Sequence, residues 1–121
     1  MQKFQQNKSE ATPVDFALFV GDVAIQDMVT GQNAQGLVVH LVNFDDGAKT
    51  QWHTHSAEQV LIVTSGSGIV ATRDEELTIE PGDVVLVAPN EDHWHGAKPG
   101  ASMSHFAIMP PSEVSISDQQ D

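Results

Sequence analysis

Short apolar runs separated by turn-forming residues are the feature of this sequence that most restricts its fold. Clusters of Gly, Pro, Asn and Asp, such as those at 45–47 and 81–83, stand between the runs. No run has the length and the 3.6-residue period of an amphipathic helix, whereas seven short strands at this spacing are typical of an all-β sandwich or barrel. The predicted strands cover 14–20, 36–44, 59–64, 68–72, 77–79, 84–87 and 103–109.

The length of the chain restricts the fold further, because 121 residues make one domain with one core. Apolar residues make up 40% of the chain and charged residues 18%, which is typical of a folded globular protein. Both ends are polar, so we expect a flexible segment at 1–12, a barrel at 13–110 and a flexible acidic tail at 111–121. The absence of cysteine excludes thiol chemistry, disulfides and cysteine-based zinc sites.

Charge and hydropathy narrow the possible partners. The formal net charge is −12, and a chain this acidic is repelled by nucleic acid and by anionic membrane surfaces. No apolar stretch approaches the roughly 20 residues that span a bilayer, and the N-terminus lacks the apolar core of a signal peptide, so we expect a cytoplasmic protein. The runs 60–63 and 84–87 are apolar on both faces, which favours a homodimer whose second subunit covers the barrel.

All six histidines lie between positions 40 and 105, and four of them form two pairs. His53 and His55 are two residues apart, and His93 and His95 repeat this spacing. On an extended strand, residues i and i+2 point to the same side, so each pair presents two imidazoles to one face. Neutral imidazoles on facing strands are what a mononuclear centre for a divalent transition metal requires. The two pairs therefore predict a metal site.

The residues around the first pair resemble the first motif of the cupin superfamily. Gly47, His53, His55, Gln59 and Gly66 match this motif in every interval, with Gln59 at the position where the family most often has Glu. This motif is the specific half of a resemblance that extends over residues 15–109.

The second cupin motif is matched in part. Gly82 and His93 are in place, whereas Ala88, Asn90 and Ala97 stand where the family has Pro, Gly and Asn. Asn tolerates the left-handed backbone that Gly would supply at position 90, so this replacement is compatible with the family's turn.

The resemblance implies a double-stranded β-helix, or jelly roll, that forms a single-domain barrel around one divalent metal ion. The family motifs imply His53, His55, Gln59 and His93 as its ligands. The sequence around both motifs is similar to short bacterial cupins that include the manganese-dependent (R)-hydroxynitrile lyases and the cupins found beside carboxymuconolactone decarboxylases, which also use Gln as the fourth ligand. The resemblance therefore ranks Mn(II) first, with Fe(II), Zn(II) and Ni(II) as alternatives.

The fourth ligand matters for the chemistry of the site. Gln59 points to the same side of an extended strand as His53 and His55, whereas its competitor Glu58 points to the other side. Three neutral imidazoles and a neutral amide leave the full +2 charge of the metal in the pocket, which makes the ion a stronger Lewis acid than a Glu ligand would. We favour Gln59 and retain Glu58 as the alternative.

The remaining histidines are candidates for proton transfer and substrate binding. His95 is two residues from His93, so its side chain points to the same side of the strand and is expected to line the same cavity. His105 lies on the side of its predicted strand that carries small Ala107, whereas the other side carries Phe106 and Ile108. In the proteins that the chain resembles, the matching histidine stands next to the substrate. We expect His105, and after it His95, to act as general acid or base. His40 is a weaker candidate for the pocket. Trp52 and Trp94 have the opposite alternation and are expected to pack in the core behind the ligands.

Three functions follow from these residues. The first is a metal-dependent enzyme that acts on a small molecule by Lewis-acid and general-base chemistry, which the resemblance specifies as reversible cleavage of a cyanohydrin to an aldehyde and cyanide. The second is an Fe(II) dioxygenase or an isomerase, because the same ligands can hold Fe(II) with open positions. The third is a barrel that binds a small molecule without converting it.

Overall fold

The computed structural model describes all 121 residues as antiparallel strands with one short 3₁₀ turn at Lys8–Glu10. The strands are β1 (Thr12–Val14), β2 (Phe19–Val20), β3 (Val23–Val29), β4 (Val38–Phe44), β5 (Lys49–Thr50), β6 (His53–His55), β7 (Gln59–Gly66), β8 (Gly68–Thr72), β9 (Glu76–Ile79), β10 (Val84–Val87), β11 (His93–Ala97), β12 (Met103–Met109) and β13 (Val114–Ile116). The predicted all-β class is confirmed.

The strands form two antiparallel sheets. The six-stranded sheet has the order β1-β3-β4-β12-β7-β10. The seven-stranded sheet runs β13-β6-β11-β5-β2, with β8 also paired to β11 and β9 paired to β8. Strand β12 pairs with β4 on one side and with β7 on the other, so the last long strand is inserted between two that precede it by many residues. This topology brings the histidine strands β6 and β11 together in the second sheet.

The hydrophobic core lies between the two sheets and takes side chains from both. Phe44, Leu61 and Met103 come from the six-stranded sheet, and Val70 and Ile79 come from the other. All five are buried, and Leu61 is completely inaccessible to solvent. Because the core draws on distant parts of the chain, it fixes the relative position of the sheets that carry the candidate site.

The predicted strand at 14–20 is wrong. Its residues belong to two different strands, β1 at the edge of the six-stranded sheet and β2 at the edge of the other, with a turn between them. The run is apolar enough to look continuous in sequence, but alternation does not reveal where a chain crosses from one sheet to another.

The predicted strands do not include β3, because Gln26 and Asp27 interrupt its apolar pattern. Gln26 is nevertheless buried. Its amide nitrogen donates to the main-chain carbonyl of Gln5, and its amide oxygen accepts from the main-chain N–H of Asn7. The N-terminal segment thus satisfies a polar group that would otherwise be costly to bury.

The sheet extends beyond the predicted barrel boundary at 110. Strand β13 lies in the predicted acidic tail and pairs antiparallel with β6, placing Ser115 opposite Thr54. Alternation there is too short to be recognised in the sequence, since only three residues take part.

Exposed apolar side chains confirm that the run 84–87 is apolar on both faces. Val85 packs against the core and Val87 is buried, whereas Val84 and Leu86 are 65% and 64% exposed on the edge strand β10.

None of the chain's helical structure has the length and apolar character needed to cross a membrane.

Candidate metal centre

The two histidine pairs lie on neighbouring strands, and His53 faces His93 directly in the antiparallel register of β6 and β11. His53, His55 and His93 are all buried, and their candidate ligand atoms lie within 4.8 Å of one another. An ion whose bonds to imidazole nitrogen are about 2 Å long joins atoms at most about 4 Å apart, so the rings need to move only slightly to reach one ion. The three histidines could therefore hold one metal ion.

Main-chain carbonyls orient two of these rings. Nδ1 of His53 lies 2.7 Å from the carbonyl oxygen of Gln51, and Nδ1 of His93 lies 2.9 Å from that of Glu91. A carbonyl only accepts, so in each ring Nδ1–H donates and Nε2 keeps its lone pair. A hydrogen bond of this kind on the second nitrogen is typical of metal-binding histidine.

Burial keeps the three imidazoles neutral. Loss of hydration, reinforced by neighbouring His93, lowers the pKa of His53 from 6.5 to about 3 and that of His55 to about 4. Burial also lowers the pKa of His93. Because a histidine must be neutral to bind a metal, the rings are in the required state at neutral pH.

The donor set also contains an amide. Gln59 is 3% exposed, and its Oε1 lies 3.3 Å from Nε2 of His93, whereas Glu58 is exposed to solvent. The side chain of Gln59 therefore faces the cluster, as its alternation predicts. In addition, Nε2 of His55 is buried without any hydrogen-bond partner. A bound cation would satisfy this lone pair. Without a partner, a buried polar atom of this kind lowers the stability of the fold by about 1–3 kcal/mol.

His95 and His105 form a second histidine contact beside the cluster. Nε2 of His105 lies 2.9 Å from Nδ1 of His95, and both rings are buried. The centroid of the His95 ring is 5.6 Å from those of both His53 and His93, while His105 lies behind it against Phe44. Burial lowers the pKa of His105 to about 4 and holds that of His95 well below 6.5.

Four of these five histidines, His53, His55, His95 and His105, line one cavity of about 180 Å³, whereas His93 is not part of its lining. One half of its wall is polar and contains no carboxylate: His40, Thr50, His53, His55, Gln59, His95 and His105. The other half is apolar: Phe16, Leu18, Phe19, Ile25, Val42, Ala107 and Met109. A small molecule in this cavity would contact the histidines on one side and hydrocarbon on the other.

His40 lies at the edge of this cavity, as its weaker prediction allowed. It faces Ala107 on β12 and Asp27 on β3 across the sheet. Its Nδ1 lies 2.6 Å from Oδ1 of Asp27, a side chain that is 65% exposed. The side chain of His40 is 27% exposed, whereas the other five histidines are buried.

The predicted position of the two tryptophans is half right. Trp52 and Trp94 point away from the cavity, but they are only partly buried and do not belong to the core. The guanidinium of Arg73 lies 3.8 Å from the ring centre of Trp52, and Nζ of Lys49 lies 5.2 Å from that of Trp94. Cations thus cover the outer faces of both rings, an arrangement between distant residues that no local pattern indicated.

The turn of the second motif supports the site through its backbone. Asn90 has a φ of 62°, which confirms the left-handed conformation predicted there. Its main-chain N–H donates to the carbonyl of His55 at 2.8 Å. The two motifs are therefore joined by a main-chain hydrogen bond beside the cluster.

Comparison with known proteins defines the family. A model of the cupin domain matches residues 40–109, a stretch that contains every predicted site residue. The chain belongs to the cupin family. This cupin is 41% identical over 98 residues to the (R)-mandelonitrile lyase of Granulicella tundricola, an alignment that covers 80% of the chain and 73% of that relative.

Solved structures agree with this assignment. A cupin-like protein from Thermotoga maritima is 33% identical and superposes with a TM-score of 0.82, covering 95% of this cupin and 92% of that chain. The polyketide cyclase RemF from Streptomyces resistomycificus has a TM-score of 0.79 at 15% identity, over 98% and 89% of the two chains, and shares the fold alone. The predicted cupin fold is confirmed.

Proposed function

We propose that this cupin is a metal-dependent lyase that reversibly cleaves small cyanohydrins to an aldehyde or ketone and hydrogen cyanide. The main support is the set of neutral donors at the cavity. His53, His55 and Gln59 line it together with His95 and His105, and no carboxylate is in the lining. His93 completes the three-histidine group with His53 and His55. The name of the Granulicella relative, (R)-mandelonitrile lyase, points to the same reaction.

The proposed ligands are His53, His55, Gln59 and His93, and the proposed ion is Mn(II). When bound, a divalent ion supplies a Lewis acid that lowers the pKa of a substrate hydroxyl. The chain's own contribution is to leave that charge intact, because all four donors are neutral and no acidic residue lines the cavity. Orientation of the rings by the carbonyls of Gln51 and Glu91 keeps the donor atoms directed to one point.

Proton transfer is assigned to His95 and His105 acting as a pair. His95 is the ring nearer to the three-histidine cluster, so we place it in contact with the substrate and His105 behind it, which reverses the order favoured by the sequence. The hydroxyl proton passes to the pair, and the carbon–oxygen bond becomes a carbonyl. The bond to the nitrile carbon breaks, its electron pair leaves as cyanide, and the proton returns to give HCN.

The lowered pKa values suit this sequence of steps. A neutral imidazole whose pKa is about 4, as for His105, is a weak base that takes a proton only from an acidified hydroxyl. The resulting imidazolium is a strong acid and gives the proton up readily to cyanide. Burial thus favours turnover over accumulation of the charged form.

The cavity limits the substrate to a small molecule with an apolar substituent. Its 180 Å³ is well below the about 300–1,000 Å³ of pockets for drug-sized ligands. The apolar half, with Phe16, Leu18 and Met109, would receive an aryl or alkyl group while the hydroxyl faces the histidines.

The proposed assembly is a homodimer. Exposed Val84 and Leu86 on the edge strand β10 are the support for this, since a second copy would remove them from water. Light scattering of the purified protein would test it, with Leu86→Asp expected to shift the mass towards the monomer.

The experiment that tests the function begins with metal-free protein reloaded separately with Mn(II), Fe(II), Zn(II) and Ni(II). Each sample is assayed for release of benzaldehyde from mandelonitrile, with oxygen uptake followed in parallel. We expect cleavage without oxygen uptake, and its loss in His53→Ala protein. Activity no higher than that of the metal-free or His53→Ala sample would refute the lyase, and oxygen uptake would favour the dioxygenase.

A further inference from the structure

The C-terminal residues 117–121 contact the residues that immediately precede two of the proposed ligands. Trp52 immediately precedes His53, and Asp92 immediately precedes His93. Both of these preceding residues are bonded to the C-terminal segment, although strand β13 already attaches that part of the chain to β6.

Trp52 is held through both of its main-chain groups. Its N–H donates to Oε1 of Gln120 at 2.7 Å, and its carbonyl accepts from Nε2 of Gln120 at 3.1 Å. The main-chain N–H of Ser117 donates to the same carbonyl at 2.9 Å. The side chain of Gln120 thus makes the two main-chain hydrogen bonds at Trp52 that a neighbouring strand would otherwise make. Trp52 follows Gln51, whose carbonyl orients the ring of His53.

Asp92 is held through both of its carboxylate oxygens. The hydroxyl of Ser117 donates to Oδ1 at 2.5 Å, and Nε of Arg73 donates to Oδ2 at 2.7 Å. The other guanidinium nitrogens of Arg73 donate to the main-chain oxygens of Gln119 and Asp121 at 2.6 and 3.2 Å. Asp92 follows Glu91, whose carbonyl orients the ring of His93, so the residue before each of these two histidines is held, Trp52 through its main chain and Asp92 through its side chain.

We infer that Ser117, Gln120 and Arg73 form a clamp of positioning residues that keeps the rings of His53 and His93 aligned for the metal. The inference rests on the metal centre of the proposed function. The ring of each histidine is oriented by a carbonyl two residues earlier, so a shift of the main chain at 51–52 or 91–92 moves the acceptor and turns the Nε2 lone pair away. The clamp contacts the residues between each carbonyl and its histidine and prevents that shift.

Gln120→Ala in the full-length chain tests the clamp, with Gln119→Ala as the matched control. The side chain of Gln119 bonds only the terminal residue, at 3.4 Å, and its substitution leaves the carbonyl that Arg73 uses. Metal-free proteins are titrated with Mn(II) in competition with a chelating dye. We expect Gln120→Ala to bind Mn(II) about tenfold more weakly, the low end of what loss of a partner that orients a metal ligand costs, and the control to bind as the unmodified chain does.

A second measurement reports the ring directly and needs no metal. Imidazole ¹⁵N spectra of the metal-free proteins show which nitrogen of His53 carries the proton. We expect the Nδ1–H form in the unmodified chain and in Gln119→Ala, and a mixture of tautomers in Gln120→Ala. Ser117→Ala, which removes the hydroxyl bond to Asp92, should affect His93 in the same way.

The outcomes separate the clamp from the proposed function. If Gln120→Ala keeps both the Mn(II) affinity and the tautomer of the control, the clamp is refuted even if its melting temperature falls, because the segment is then only stabilising. If the unmodified chain binds no Mn(II), the proposed metal centre fails, and the tautomer comparison alone decides whether the clamp orients His53.

Discussion

The two histidine pairs share one spacing and have different surroundings. His53 and His55 both join the group of candidate metal ligands, whereas His93 joins it alone and His95 turns to His105. The pairs therefore divide into three rings that face a common point and one that contacts a further imidazole.

The antiparallel register explains this difference. His53 is opposite His93, and because the two strands run in opposite directions, His55 and His95 lie on opposite sides of that central pair. Two residues advance an extended chain by about 7 Å, so one side of the pair gains His55 and the other gains His95. Alternation predicts the face that a side chain occupies, and only the register of the strands predicts its neighbours.

The largest effect is expected from breaking the central pair. His93→Ala should weaken Mn(II) binding at least about 100-fold and reduce lyase activity to the metal-free level, because it removes one of three convergent nitrogens. Titration with Mn(II) measures this, and His40→Ala, a substitution at the edge of the cavity, is the matched control. Retention of tight binding by His93→Ala would remove His93 from the ligand set.

The next prediction concerns His95, which forms a sequence pair with His93. His95→Asn should bind Mn(II) within about threefold of the unmodified chain, because it leaves all four proposed ligands in place. Its turnover number should fall by about 10²–10⁴, the usual contribution of general acid–base catalysis. If instead metal binding were lost together with activity, His95 would be a ligand and the two pairs would be equivalent.

A smaller effect is expected from exchanging the neutral amide for a carboxylate. Gln59→Glu should bind Mn(II) more tightly, because it adds a negative charge to the ligand set. Its turnover number should fall by on the order of tenfold, because the same charge lowers the Lewis acidity of the ion. Glu58→Gln changes the neighbouring exposed residue and should alter neither quantity. Equal effects of the two variants would contradict the assignment of Gln59.

The last prediction compares His105 in the folded and unfolded chain. Burial lowers its pKa from 6.5 to about 4. Between pH 6.5 and about pH 4, His105 binds a proton in the unfolded chain but not in the folded chain. The free energy of unfolding of the metal-free protein therefore falls as the pH is lowered through this range. His105→Gln should reduce this slope by up to about 1.4 kcal/mol per pH unit, measured by urea unfolding from pH 7 to pH 4. An unchanged slope would place the acid sensitivity elsewhere.

Local pattern was sufficient for much of the site. The side-chain direction of Gln59 rather than Glu58 and the left-handed turn at Asn90 both followed from the sequence, since each depends on a few neighbouring residues. The group formed by His53, His55 and His93 followed because two short strands carry all three rings.

Contacts between residues far apart in the sequence could not be predicted. Trp52 and Gln120 are 68 positions apart, and nothing in either segment indicates that they meet. The cation over Trp52 and the order of His95 and His105 relative to the ligands likewise depend on strand register and sheet packing. Those are set by the whole core, which a single sequence does not specify locally.

The direct opposition of His53 and His93 has a consequence for the lifetime of the protein. This chain has no cysteine, so it has no disulfide to join its strands. An ion shared by β6 and β11 would take that place and add a stability of RT ln(1 + [M]/Kd), where [M] is the free metal concentration. Starvation for metal would then leave more of the chain open to proteases, and the amount of protein in a cell would follow the supply of the ion.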